Sequence, residues 1–150
     1  MVTTDAVKSP PVATSQVRIL IADDHEVMRL GIRNLLENQP NWIVCGEARD
    51  GREAVAKALQ LHPDVIIMDV TMPTMNGLEA AGTIARSNPG IPVILFSLHL
   101  SDDLCSHLTC TSIRGAVSKS NAARDLVDAV ETALGGGTFF PSRKAVATKV

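Results

Sequence analysis

The sequence predicts a doubly wound α/β domain built on five parallel strands, and three observations predict it. Short, nearly continuous apolar runs rich in β-branched residues occur over 17–22 (VRILIA), 64–68 (DVIIM) and 91–96 (IPVILF), as expected of strands covered on both faces. Segments of helical periodicity lie between the runs, which gives a βα alternation. Carboxylates follow two of the runs at once, Asp23-Asp24 after the first and Asp69 after the second.

Two weaker strands complete the set, WIVCGE over 42–47 and RGAVS over 114–118. The first helix is expected over 26–38, where Val27/Met28, Gly31/Ile32 and Leu35/Leu36 recur every four residues until Gln39-Pro40 stops it. Asp50-Gly51 introduces the second over 52–62, with Ala54, Val55, Ala58, Leu59 and Leu61 on or near one side, stopped before Pro63. Gly77 opens the third, which ends at Pro89-Gly90. Ser101, followed by Asp102 and Asp103, is a good N-cap for a fourth helix reaching Cys110. Its Ser, Thr and Cys content gives it poor intrinsic helical preference, which makes it a plausible moving part. The last helix spans 121–134, carries Leu126, Val127, Val130 and Leu134, and ends in Gly135-Gly136-Gly137.

Composition removes several function classes. The 150 residues carry 14 Lys plus Arg against 16 Asp plus Glu, a formal charge of -2, so no basic field holds nucleic acid. Aromatics are only 3%, too few for base-stacking platforms. Cys45, Cys105 and Cys110 are odd in number and lack metal-ligand spacing, which suits reduced thiols in a cytoplasmic protein and small core positions. The first 16 residues lack the pattern of a secretory signal and read as a flexible leader, and no apolar run approaches membrane-spanning length.

In a five-stranded sheet of this class the order is 2-1-3-4-5, and ligands bind beyond the carboxyl ends of strands 1 and 3. Asp23, Asp24 and Asp69 are therefore expected to meet. Carboxylates that close repel one another, and a hard divalent cation relieves the repulsion. Mg²⁺ fits, with Mn²⁺ as an alternative, because it takes oxygen ligands and is often shared between carboxylates and a phosphate. Asp69, alone at the end of the central strand, is the better nucleophile, able to attack phosphorus and form an aspartyl phosphate. Asp23 and Asp24 are the better metal holders. In TMPTMNG, Pro73 and Asn76-Gly77 end the strand and leave the Thr71 carbonyl as a further ligand. Ser97 and Lys119 close the last two strands, offering a hydroxyl and an ammonium to a phosphoryl group.

These positions resemble the receiver domain of two-component response regulators, a flavodoxin-like (βα)5 fold, over 17–134. They are Asp23 and Asp24 in IADDHEVMRLGI, Asp69 in DVTMPTMNG, Ser97 in FSLH and Lys119 in VSKS. The resemblance implies phosphotransfer from a sensor histidine kinase to Asp69, with Mg²⁺ on Asp23, Asp24, Asp69 and the Thr71 carbonyl. DDHEVMRLGI, GEARDGREAV, KSNAARDLVDAV and GGGTFF are similar to the NarL/FixJ (LuxR-type) branch. That likeness implies a homodimer on phosphorylation and DNA binding only through a helix-turn-helix domain absent from this chain. Residues 135–150 then read as the start of an interdomain linker.

Some positions depart from the family pattern. Ala116 stands where receivers usually carry the aromatic residue that changes rotamer with phosphorylation, which predicts altered or weakened signalling. His99 is placed to tune water access to the site. His25 receives no ligand role, because imidazole is not a preferred Mg²⁺ ligand. Three other functions compete. An Asp-nucleophile phosphohydrolase would need a second acid/base where Thr71 stands, and a flavin or nucleotide binder would need a Gly-rich or Ser/Thr-rich loop where ADDHE stands. The third is a constitutive protein-interaction module with a vestigial site, which Ala116 keeps in contention.

Overall fold

A computed structural model describes residues 15–99 and 112–140. The chain runs β1 (Val17–Ala22), α1 (Glu26–Glu37), β2 (Trp42–Ala48), α2 (Gly51–Leu61), β3 (Val65–Asp69), α3 (Gly77–Ser87), β4 (Val93–Ser97), β5 (Ile113–Ser118) and α4 (Ala122–Leu134). A short 3-10 turn over Lys119–Asn121 joins the last two. The helix expected over 101–110, with Cys105, His107 and Cys110, lies outside the described residues.

The sheet order is β2-β1-β3-β4-β5 and every pairing is parallel, as the alternation predicts. β3 and β4 are buried at every position, so their side chains alternate between two cores rather than between core and water. On one face, Leu20, Ile66, Met68 and Leu95 pack against Ala54, Ala58, Ala80 and Ile84 of α2 and α3. On the other, Ile21, Ile67, Ile94 and Phe96 pack against Ile32 and Leu36 of α1 and Leu126 and Val130 of α4. Each such side chain, wholly removed from water, contributes about 1.5–3 kcal/mol.

Helix ends follow local chemistry. The Asp50 side chain accepts the Glu53 N–H at the start of α2, and Asn76 with Glu79 forms a reciprocal capping box on α3. α1 starts differently. Its N-cap is His25 without a side-chain cap, so neither Asp23 nor Asp24 caps the helix.

Several local expectations shift. The inward face of α1 is Arg29, Ile32 and Leu36, and Val27 points outward at 83% exposure. Leu59 of α2 is also exposed, the inner face being the small residues Gly51, Ala54 and Ala58. Cys45 is only half-buried, because it sits on β2, the edge strand. Residues 136–140 do not leave the domain directly. Phe139 lies parallel to β5, its N–H donating to the Arg114 carbonyl and its carbonyl accepting the Ala116 N–H, both at 2.9 Å.

Candidate functional site

Parallel strands all present their carboxyl ends on one side, and β1, β3, β4 and β5 bring Asp23, Asp69, Ser97 and Lys119 there. A cleft of about 320 Å³ opens over them, lined by Asp24, His25, Asp69, Thr71, Ser97, His99 and Lys119 among others. A slightly larger cleft lies at the opposite end of the sheet, bordered by Asp64, Pro92 and Arg114. Only the first gathers the carboxylates.

Asp23 is 0% exposed and Asp69 is 3% exposed. Between them lies the Lys119 ammonium, 2.8 Å from Asp23 Oδ2 and 3.3 Å from Asp69 Oδ2, on a side chain that is itself 5% exposed. The ammonium also stands 5.6 Å from the centroid of the Phe96 ring, a cation–π contact. Burial pushes the Asp69 carboxyl above the ordinary aspartate range and the Asp23 charge adds to the rise, outweighing Lys119 and the Thr71 N–H bond, which oppose it. Burial works to lower the Lys119 ammonium, but hydrogen bonding and charge attraction from Asp23 and Asp69 leave it above the ordinary lysine range. Burial and the neighbouring Asp23 charge set the first direction, and the pull of two carboxylates on a single ammonium sets the second.

The backbone around Asp69 explains the residues that follow it. Asp69 Oδ1 accepts the Thr71 N–H at 3.2 Å, which curls the chain off the strand. The Gly77 N–H then donates to the Val70 carbonyl at 2.9 Å, bringing the start of α3 back beneath the site. A Cβ on Gly77 would stand 2.1 Å from the Asp69 carbonyl oxygen, so only glycine allows this approach. The Asn76-Gly77 pair is therefore a cap and a clearance.

On the β1 side, Asp23 Oδ1 accepts the His25 N–H at 2.8 Å. The Asp23 carbonyl accepts from Arg29 Nη1 at 2.7 Å, and Arg29 Nε donates to Glu47 Oε1 at 2.8 Å. Arg33 grips the other Glu47 oxygen at 2.7 Å. Burial works to raise the Glu47 carboxyl, but Arg33 and Arg29 hold it below the ordinary range. Sequence reading passed over Arg29 and Glu47. The signal was present, since Arg29, Ile32 and Leu36 share one helical face and a cation on an apolar face needs a partner.

The expected residues come together, with differences of detail. Ser97 lines the cleft and is buried, yet its hydroxyl donates to the His99 carbonyl and accepts the His99 N–H, at 3.1 and 3.2 Å. His99 lies at the cleft mouth. Thr71 is exposed beside Asp69. Ala116 is fully buried against the α2–α3 face. His25, assigned no role from sequence, turns Nδ1 to within 3.3 Å of Asp23 Oδ1 and 3.2 Å of Asp24 Oδ1.

The donor set fits a divalent cation. Asp23, Asp24, His25 and Asp69 each offer a ligand atom, and these atoms all lie within 4.8 Å of one another. Asp23 Oδ2 is buried, and its partner is the Lys119 ammonium 2.8 Å away, which Asp69 Oδ2 shares at 3.3 Å. Three carboxylates beside one ammonium leave net negative charge there, which a divalent cation would offset.

A doubly wound, flavodoxin-like domain with acidic groups and a lysine at its switch point is the class this geometry defines. The chain belongs to the response regulator receiver domain family, whose model matches residues 19–131. It is 36% identical over 126 residues to the response regulator protein VraR of Staphylococcus aureus, covering 83% of this chain and 60% of VraR. A LuxR-family two-component response regulator from Aurantimonas sp. superposes with a TM-score of 0.79 at 32% identity, over 83% of this chain and 89% of that one. The isolated receiver of RcsB from Salmonella enterica serovar Typhimurium, solved with the phosphomimetic BeF3−, gives 0.77 at 28% identity over 85% and 95%. RcsB dimers have also been solved on DNA. These relatives place the domain on the NarL/FixJ branch. The chain spans between about half and three fifths of the curated relatives it matches.

Proposed function

We propose that this receiver takes a phosphoryl group onto Asp69 from the phosphohistidine of a sensor histidine kinase and uses it to shift its own conformation. The observation that carries the reading is the buried Asp69 carboxylate, held 3.3 Å from the Lys119 ammonium at the floor of an open cleft. In the transfer, an Asp69 oxygen bonds to phosphorus while the phosphorus–nitrogen bond breaks. Its electron pair returns to the imidazole ring, which loses no carbon or nitrogen. Asp69 offers its carboxylate as the nucleophile at the end of the central strand. Lys119 stands where it can pair with a phosphoryl oxygen.

Asp23, Asp24, Asp69 and the Thr71 carbonyl would hold Mg²⁺, or Mn²⁺ in its place. The bound ion neutralises phosphoryl charge as a Lewis acid.

Ser97 links the site to its surroundings. To bond a phosphoryl oxygen, its hydroxyl exchanges its two contacts with the His99 backbone, which loosens the segment leading out of β4. That exchange biases the loops toward a second state. His99 controls water at the cleft mouth. The likeness to longer LuxR-family proteins supports a cytoplasmic regulator that dimerises when phosphorylated and acts on DNA through a further helix-turn-helix domain. Residues 17–134 are the receiver in this reading, and 135–150 begin the connection.

One residue favours a second reading. Ala116 fills a fully buried position without an aromatic switch, which suits a constitutive protein-interaction module. Intact-mass spectrometry after incubation with acetyl phosphate, with and without Mg²⁺ and beside Asp69→Asn, separates the two. One Mg²⁺-dependent phosphate, absent from the variant, is expected. No phosphate under any condition moves the conclusion to the interaction module.

A further inference from the structure

We propose that residues 138–140 form a strap on the outer edge of β5 that opens when a phosphoryl group engages Lys119, so that occupancy of the site is passed to the chain beyond Phe140. The inference rests on the receiver reading above and adds a second, distant element to it.

The strap is built into the domain but lightly held. Gly136, at φ +92°, turns the chain back from the end of α4, a conformation that glycine adopts freely. The Phe139 N–H then donates to the Arg114 carbonyl, and the Ala116 N–H donates to the Phe139 carbonyl, both at 2.9 Å. Gly115 lies between those two contacts, where a Cβ would stand 2.9 Å from the Phe139 carbonyl oxygen, so this close approach needs glycine. The Phe139 side chain is half-buried against the core cluster that contains Ile94, Phe96 and Val117. A segment held by two backbone bonds and one half-buried ring opens at far lower cost than the domain unfolds.

β5 joins the strap to the site. Its register with β4 carries one extra residue, since Val93 pairs with Ile113 and Ile94 with Gly115, which leaves Arg114 as a bulge. A bulge interrupts the ladder locally, so it is the point at which a strand gives. Arg114 is also the residue whose carbonyl holds the strap. At its other end β5 runs from Ser118 straight into Lys119, whose ammonium bridges Asp23 and Asp69 and stands 5.6 Å from the Phe96 ring. Drawing Lys119 off Asp23 toward a phosphoryl oxygen on Asp69 pulls on β5 and takes the cation from the Phe96 face. Both displacements reach the strap, one through the backbone at Arg114 and Ala116 and the other through the cluster that Phe96 shares with Phe139.

Beryllofluoride with Mg²⁺ stands in for the phosphoryl group, ¹⁹F NMR reads its binding, and deuterium exchange of single amides reads the strap. In the full chain, loading should speed exchange of the Phe139 and Ala116 amides at least about fivefold, the lower end of ordinary coupling between sites, and leave Ile67 in the central strand unchanged. Coupling is reciprocal, so Phe139→Pro, which deletes the donor to Arg114, should bind beryllofluoride more tightly by a similar factor. Exchange that stays the same or slows in the loaded wild type, or an unchanged affinity in Phe139→Pro, overturns the strap and leaves the Asp69 site standing. A wild type that shows no bound beryllofluoride, like Asp69→Asn beside it, overturns the receiver reading on which the strap depends.

Discussion

Replacing Lys119 with Met tests the electrostatic arrangement on which the site depends. The substitution keeps an unbranched apolar stem but deletes the ammonium 2.8 Å from Asp23 and 3.3 Å from Asp69. Both carboxylates are almost wholly buried and would face each other without a countercharge. Breaking a buried pair by removing one partner costs about 3–5 kcal/mol, against about 5–15 kcal/mol for a whole domain. Because pairing raises the lysine above its ordinary range, its stabilising contribution is complete below the unfolded lysine value. It is lost only as pH climbs through the raised one, so the full deficit is present at pH 7. Urea unfolding in EDTA at pH 7 measures it. Excess Mg²⁺ should recover part of the loss, since a cation between the carboxylates relieves the same repulsion. A deficit under about 1 kcal/mol in EDTA would refute the claim that this ammonium neutralises the pair.

Three other substitutions probe the same frame. Asp69→Asn should raise the urea midpoint of the metal-free domain at pH 7. A carboxyl raised by folding costs stability as pH rises from its unfolded value through the folded one, and the amide escapes that cost; a lower urea midpoint for the variant contradicts it. Arg29→Met removes a charged hydrogen bond to the Asp23 carbonyl and should cost about 1.5–3 kcal/mol. It should also weaken Mg²⁺ binding by calorimetry, and an unchanged affinity would show that the Asp23 loop needs no such anchor. Gly115→Val puts a Cβ 2.9 Å from the Phe139 carbonyl and should push the tail off β5. The Ala116 amide, which donates to that carbonyl, should then exchange faster with deuterium, and unchanged protection would refute the pairing.

Much of the architecture was legible because parallel strands buried on both faces have a near-continuous apolar signature, clear at 17–22, 64–68 and 91–96. The weaker runs at 42–47 and 114–118 also become strands, in the expected order. The face of α1 was less legible. Met28, Ile32, Leu35 and Leu36 of the expected stripe do face the core, but Val27 turns outward and Arg29 inward, since hydropathy alone does not predict that a guanidinium will be buried to hold Glu47 and the Asp23 carbonyl. The tail was harder still. Gly136 and Gly137 suggested a departing chain, but a strand edge beside them offered open backbone groups, and Phe139 took them.

The sequence by itself determined the alternation of elements, the strand order and the gathering of Asp23, Asp69, Ser97 and Lys119 at one end of the sheet. Those follow from period, turn chemistry and the handedness of parallel connections, which are local or topological properties. Tertiary structure decided how the groups share charge. One ammonium serves two buried carboxylates, the Ser97 hydroxyl turns to His99, and His25 faces the acidic pair. Such contacts depend on ångström distances between residues far apart in the chain, and burial sets their strength.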